Sequence, residues 1–270
     1  MKRIKLTITC ILLLTIMVLT ACGSDGDGTS TTDNSADTES DNVLRVASTP
    51  TGPPYTFMNN ETEEMEGIMI DIANAIGERL DKEIEIHPMT FASLIQALEG
   101  DKVDVISAGM VMTDERREVI DFTDEVFGFG EGLVVHEDNN EIHSFEDLEG
   151  KNVGSQKGTI YHDLLEESGL PESITVYEAI GDMLQELSNG RLDAVITDEP
   201  VSIYLKENNP NFKIKIINDY ESQIVDGVGL GVAKGNDELV NDLNEVIAEL
   251  REDGTLQEIY DEWNVSWDLE

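Results

Sequence analysis

Basic residues are scarce in this chain: 17 Lys and Arg stand against 57 Asp and Glu, a formal net charge of −40. A surface of that sign repels phosphate backbones and anionic lipid headgroups, which argues against nucleic acid or a bare lipid surface as partner. Cysteine is nearly missing as well. Cys10 and Cys22 lie at the N-terminus, so nothing beyond them can form a disulfide, a thiol nucleophile or a thiolate metal site. The histidines His87, His136, His143 and His162 show no ligand spacing and no nucleophile partner. Ser155, in GSQKG, lacks the pattern of a nucleophile elbow. His162, Asp163 and Glu166 share one helix, where a solvated acidic face competes with a metal reading and is preferred. No cofactor and no metal is therefore expected. Stability must come from an apolar core, and 40% hydrophobic residues over 270 positions suffice for one or two domains.

What is present at the N-terminus is a secretion signal, residues 1–21. Lys2, Arg3 and Lys5 precede an apolar stretch, Leu6 to Leu19, that is too short for a comfortable membrane span. It ends in Leu19-Thr20-Ala21-Cys22, which resembles the lipobox of bacterial lipoproteins, with Cys22 as the lipidated residue. The alternative is an ordinary signal peptide with an incidental cysteine. An anchored chain would stay on the outer face of the membrane without crossing it. Residues 22–42 are acidic and polar, with almost nothing apolar, and are expected to form a disordered tether. About twenty such residues reach roughly 25 Å, enough to hold a globule clear of the membrane.

From Val43 onward strands and helices alternate. The expected strands are Leu44–Ser48, Glu83–His87, Val103–Ile106, Asn152–Ser155, Ile174–Tyr177 and Ala194–Thr197. Between them run helices marked by Ile72, Ala73, Ile76 and Leu80, by Leu94, Ile95 and Leu98, and by Thr159–Ser168, Ile180–Asn189 and the segment from Glu199. Val228–Ala233 precedes a last helix carrying Leu239, Leu243, Val246, Ile247 and Leu250. Such alternation predicts an α/β fold with parallel sheets covered by helices. The pattern restarts after Gly128-Phe129-Gly130-Glu131-Gly132, a stretch that by itself reads as a plain glycine-rich loop.

One segment carries chemistry. Thr113 can cap a helix whose first turn is acidic, and Arg116 then stands just after a strand end, where open α/β sheets bind ligands. Its planar fork suits a carboxylate held by two parallel hydrogen bonds. The other reading is a surface arginine paired with the surrounding acids.

The landmarks resemble the bacterial solute-binding proteins of family 3, which deliver polar amino acids and related solutes to ABC importers. The matching pieces are LRVAST with PPYTF, EGIMIDIANAIGERL, PMTFASLIQALEGDKVDVISAGM, TDERREVIDFTD, DLEGKNVGSQKGT, LSNGRLDAVITDEP, GVGLGVAKGNDEL and LREDGTLQEIYDEW, in family order from Leu44 to Trp263. The resemblance implies a two-lobed periplasmic-binding-protein-like clamp with a ligand cleft between the lobes. Residues 43–125 plus 229–270 would form lobe I and 132–223 lobe II, with hinge crossings near 126–131 and 224–228. It further implies that Arg116 grips a ligand carboxylate and that Asp198, from the facing lobe, accepts the ammonium. Phe91 would form an apolar wall, although a phenylalanine there also reads as core. Backbone around Gly109 and Val111, with Thr159 and Ile160 at a helix start, would donate amides to the carboxylate. Tyr55 would lie near the cleft rim.

The implied protein is a lipid-anchored binding component on the extracellular face of the cell membrane. It is expected to act as a monomer, partnered by a small zwitterion and an ABC permease, and not to be an enzyme. Some relatives have a hydroxyl where Val111 stands, a threonine where Ile160 stands, and an acid near Thr49. Those departures leave open an ectoine-like compatible solute as ligand, and, further off, a dehydratase-like cleft enzyme on the same fold.

The acidity itself fits adaptation to a salty exterior, where carboxylates keep the protein hydrated. If so, removing salt leaves the like charges unscreened. The melting temperature is expected to rise with added NaCl; melting independent of salt between about 0.01 and 1 M, roughly tenfold to either side of the 0.1 M at which the Debye length is near 10 Å, would count against it.

Overall fold

The computed structural model describes residues 42–265. The signal, Cys22 and nearly all of the tether, and the last five positions, 266–270, lie outside the described residues. Among the described residues no helix is long and apolar enough to cross a membrane.

The first half builds outward from β1 (Val43–Ser48). A small ribbon of β2 (Thr51–Gly52), β3 (Thr56–Met58) and β4 (Met65–Glu66) follows, then α1 (Ile68–Leu80). Helix α1 buries Ile68, Met69, Ile72, Ala73 and Ile76, one face of a 3.6-residue period. Gly67 precedes it at φ 125°, where an added Cβ would sit 2.4 Å from the Tyr55 carbonyl oxygen, so glycine alone fits that turn. Next come β5 (Glu83–Pro88), α2 (Leu94–Glu99), β6 (Val105–Ile106), α3 (Asp114–Val119) and β7 (Ile120–Phe122). The run from Val103 thus pairs as a strand only over its last two residues, although Val103 itself is buried.

The long strand β8 (Phe127–His136) opens the second half. It is followed by β9 (Asn152–Gln156), α4 (Ile160–Ser168), β10 (Ser173–Tyr177), α5 (Ile180–Ser188), β11 (Ala194–Asp198), α6 (Glu199–Asn208) and β12 (Ile214–Ile216). The chain returns through β13 (Val225–Val228) and β14 (Gly231–Ala233) to α7 (Asp237–Glu252) and α8 (Thr255–Glu262). Val228 thus closes β13, and Gly231–Ala233 forms β14.

Two sheets form the two lobes. The first has the order β5-β1-β6-β14-β7 and the second β10-β9-β11-β8-β12. Strands β1, β5 and β6 are mutually parallel, as are β9, β10 and β11. The sheets are nevertheless mixed, which corrects the expectation of parallel sheets. Strand β14 runs antiparallel to β6 and β7, and β8 antiparallel to β11 and β12. Alternation of apolar runs cannot register this, because both exceptions come from strands entering a sheet directly from a crossing between lobes rather than through a helix.

The glycines of FGFGEG lie inside β8, so the loop reading fails. The first part of β8 pairs antiparallel with β13, Phe127 opposite Val228 and Gly130 opposite Val225. A Cβ on Gly130 would meet the Ser222 Oγ at 2.4 Å. Helices α7 and α8 pack on α1. Trp263 Nε1 donates to Asp71 Oδ2 at 2.7 Å, Arg79 pairs with Asp253 at 2.6 Å, and the buried Tyr260 hydroxyl donates to the Val126 carbonyl at 2.6 Å.

Leu243, Val246, Ile247 and Leu250 make the buried stripe of α7. Replacing Ile247 by Ala should lower unfolding free energy by about 2–5 kcal/mol. Urea denaturation checks this, with the exposed Glu245→Ala as a control expected to stay within about 0.5 kcal/mol.

Candidate functional site

Four strands aim their C-terminal ends at one space between the lobes. Strands β1 and β6 deliver Thr49, Ala108 and Gly109; β9 and β11 deliver Gln156 and Asp198. The edge of an α/β sheet at its carboxyl ends is where such folds hold ligands, because loops and helix N-termini converge there. Tyr55, Phe91, Gly109, Val111, Arg116, Thr159, Ile160 and Asp198 all line this single cavity.

Arg116 is held from both sides. Thr113 Oγ1 accepts the Arg116 backbone N–H at 3.2 Å, the cap that sets α3 in place. The guanidinium donates from Nη1 to the Val111 carbonyl at 2.7 Å and from Nη2 to the Gly158 carbonyl, in the opposite lobe, at 3.2 Å. Its Cζ lies 5.6 Å from the centroid of the Phe91 ring. Two of five N–H groups are thereby engaged, leaving donors for a planar anion. The residue is only 9% exposed, which rules out the solvated surface arginine. Burial lowers its pKa from the usual range, against the opposing pull of Asp163, Tyr161, Glu115 and Asp198. Gly158 makes the lobe contact possible: at φ 79°, an added Cβ would lie 2.9 Å from the Ala92 Cα.

Asp198 ends β11 and precedes α6. Its Oδ1 accepts the Tyr161 hydroxyl at 2.6 Å. Burial pushes its pKa up to about 6, against the lowering effects of the Tyr161 hydroxyl and the Arg116 charge, while Glu131 adds to the rise. No ion pair joins Arg116 to Asp198 among the described residues, so the two opposite charges face one cavity without neutralising each other by contact.

Helix α4 starts at Ile160 with Thr159 as its N-cap residue, one position later than the sequence suggests. The Thr159 hydroxyl donates to the Gln156 carbonyl at 2.8 Å, and the first-turn N–H groups of α4 point out of the helix at its cavity-lining end. Phe91 is half-buried at the start of a short 3₁₀ turn and serves both readings, packing on the core while facing the cavity. Tyr55 departs from its expected place at the rim. It is 4% exposed, with its ring stacked on Phe127 at 5.0 Å and Phe129 at 4.9 Å.

Several residues of this site escape sequence reasoning. Tyr161 follows Ile160 directly and carries the hydrogen bond to Asp198. Glu131 is 1% exposed and opposite Asp198 in the β8–β11 register. Its Oε1 accepts the Tyr220 hydroxyl at 2.9 Å and the Gln223 N–H at 2.5 Å, and its Oε2 the Ile224 N–H at 3.0 Å. A lone acid among the glycines of FGFGEG is the signal that could have flagged it. Thr56 and Gln156 also line the cavity.

Asp198 has a sign-definite consequence. Its folded pKa, about 6, lies above the usual carboxylate value of about 4. The folded state therefore holds more protons between these values, and stability falls as pH rises through that window. Asp198→Asn, which keeps an acceptor for Tyr161, should remove that fall and raise stability at pH 7.5 by about 3 kcal/mol. Chemical denaturation of both proteins at pH 4.5 and 7.5 checks it; equal pH dependence would contradict the assignment.

The comparisons agree with the two-lobed α/β fold. A probable amino-acid-binding protein of Bacillus subtilis (strain 168) is 30% identical over 267 residues, 97% of this chain and 96% of that relative. Solved structures of an ancestral arginine-binding protein, one bound to glutamine and one to arginine, match with a TM-score of 0.78 and 36% identity. They cover 82% of this chain and, respectively, 97% and 98% of theirs. The profile of bacterial extracellular solute-binding proteins, family 3, matches residues 44–266. With its two lobes and a charged cavity at their junction, the chain belongs to the bacterial extracellular solute-binding proteins, family 3.

Proposed function

We propose that this chain is the lipid-anchored substrate-binding component of an ABC importer and that it captures an amino acid by closure of the lobes. The observation that carries the reading is the placement of Arg116 and Asp198, opposite in charge and from opposite lobes, on one cavity. A zwitterion satisfies both groups only when the lobes are together, so its binding free energy favours the closed arrangement. The carboxylate would take the remaining guanidinium donors and the amides around Gly109, Val111, Thr159 and Ile160. The ammonium would take Asp198, with Phe91 and Tyr55 as walls. Lobe I would comprise residues 43–125 and 229–270, lobe II 132–223, and the segments near 126–131 and 224–228 would flex.

The protein would work as a monomer on the outer face of the membrane, tethered through Cys22, and would hand its solute to a membrane permease. The relatives named above support the amino-acid reading by what they bind. A ligand that binds only the folded state raises the melting temperature by mass action, by about 2.7 kcal/mol of stability at 100 times Kd. Arg116→Ala and Asp198→Ala should each abolish the shift produced by the true amino acid. An unchanged shift in Arg116→Ala would refute the anchor.

A further inference from the structure

The charges lining the cavity are balanced one against one, and this restricts the solute further than the family does. Among the described residues that line it, Arg116 and Asp198 alone carry charge. A zwitterionic backbone consumes both. Any charge on the ligand's side chain would then enter a buried space with no counter-ion, a large penalty wherever water is excluded.

The acids beyond the lining cannot supply that counter-ion. Glu131 is buried and its charge is felt at Asp198, but both its oxygens are committed to the Tyr220 hydroxyl and the backbone N–H groups of Gln223 and Ile224 in the return crossing, and it does not line the cavity. Glu199, Asp163 and Glu115 are exposed, where solvent screens them. What the cavity does offer is an uncompensated neutral polar group. The Thr56 hydroxyl is fully buried and has no hydrogen-bond partner, on a residue that lines the cavity. An orphaned buried hydroxyl is uncommon in a folded protein, and a ligand is a natural source of its partner.

Resting on the amino-acid reading above, we infer that the cleft selects amino acids with uncharged side chains, and that the Thr56 hydroxyl contacts a polar group on that side chain. Thr56 is then a specificity residue. It discriminates polar from apolar neutral ligands, because a site with a buried polar group rejects an analogue that leaves it unpaired.

Isothermal titration at pH 7.5 with glutamine, asparagine, serine, leucine, arginine, lysine and glutamate tests this on the mature chain and on Thr56→Val, a near-isosteric change. The tightest ligand should be one of the polar neutral amino acids, with arginine, lysine and glutamate all more than tenfold weaker. Thr56→Val should weaken that polar ligand about tenfold and leave leucine within threefold, which also controls for folding. Any of the charged amino acids binding within tenfold of the tightest neutral one overturns the charge argument. No loss of the polar ligand in Thr56→Val, or an equal loss of leucine, overturns the Thr56 assignment. Silence toward every amino acid is a different result, and overturns the amino-acid reading itself along with the inference.

Discussion

Everything in this molecule's cleft depends on holding two opposite charges out of water without letting them meet. Arg116 keeps its charge in a buried position only because carbonyls from both lobes receive its N–H groups. Asp198 has the Tyr161 hydroxyl and its own backbone N–H, and burial still leaves its carboxyl with a raised pKa. Desolvation of each charge is unfavourable, and contact between them would relieve it. The β-strand ends and the α3 cap hold them on separate lobes instead. Under the proposed function, the strain of this incompletely matched pair is what a zwitterion would relieve, since it would supply what each group lacks.

That arrangement is connected to the crossings by one buried side chain. Glu131 faces Asp198 across the β8–β11 pair while its carboxylate gathers backbone N–H groups from the start of the return crossing. Three hydrogen bonds to an ionisable group make a rigid junction, with the adjoining ribbon of β8 and β13 carrying glycines where Ser222 and Glu125 crowd the backbone. A change in charge at Asp198 is thus felt one strand away by the group that fixes where the chain re-crosses. Tyr55, stacked on Phe127 and Phe129, joins the cavity to the same ribbon from the other lobe.

Much of the fold was legible in the sequence because periodicity reports burial. The stripe of Ile72, Ala73 and Ile76 and the run of Ala194 to Thr197 each face one core, and both formed the elements that their spacing implies. Arg116 could be picked out because a capped helix start just after a strand end is a local feature, whereas Asp198 stands out only through the resemblance to the family. What stayed hidden depends on partners far away in the chain. FGFGEG looks like a loop because glycine density is a local signal, whereas the pairing that makes it a strand comes from residues 225–228. Likewise the antiparallel entry of β14, the burial of Tyr55 under two phenylalanines and the coordination of Glu131 by residues 220–224 are properties of contact, with no trace in spacing.

The charge of the whole chain and the charge of its cleft point in opposite directions. A net −40 creates a field that draws cations toward the surface, and salt confines that field to about one Debye length, near 8–10 Å at moderate ionic strength. Cationic solutes are therefore enriched at the entrance whatever the protein is meant to bind, so acidity at the surface cannot be what confers selectivity. Discrimination has to occur inside, where water no longer screens and a single unmatched charge is decisive. There the lining acids reduce to Asp198, and every other nearby carboxylate is either turned outward or committed to the backbone. Under the inference drawn above, an interior whose lining acids reduce to Asp198 would let a strongly acidic protein gather cations at its surface and still refuse them at its site.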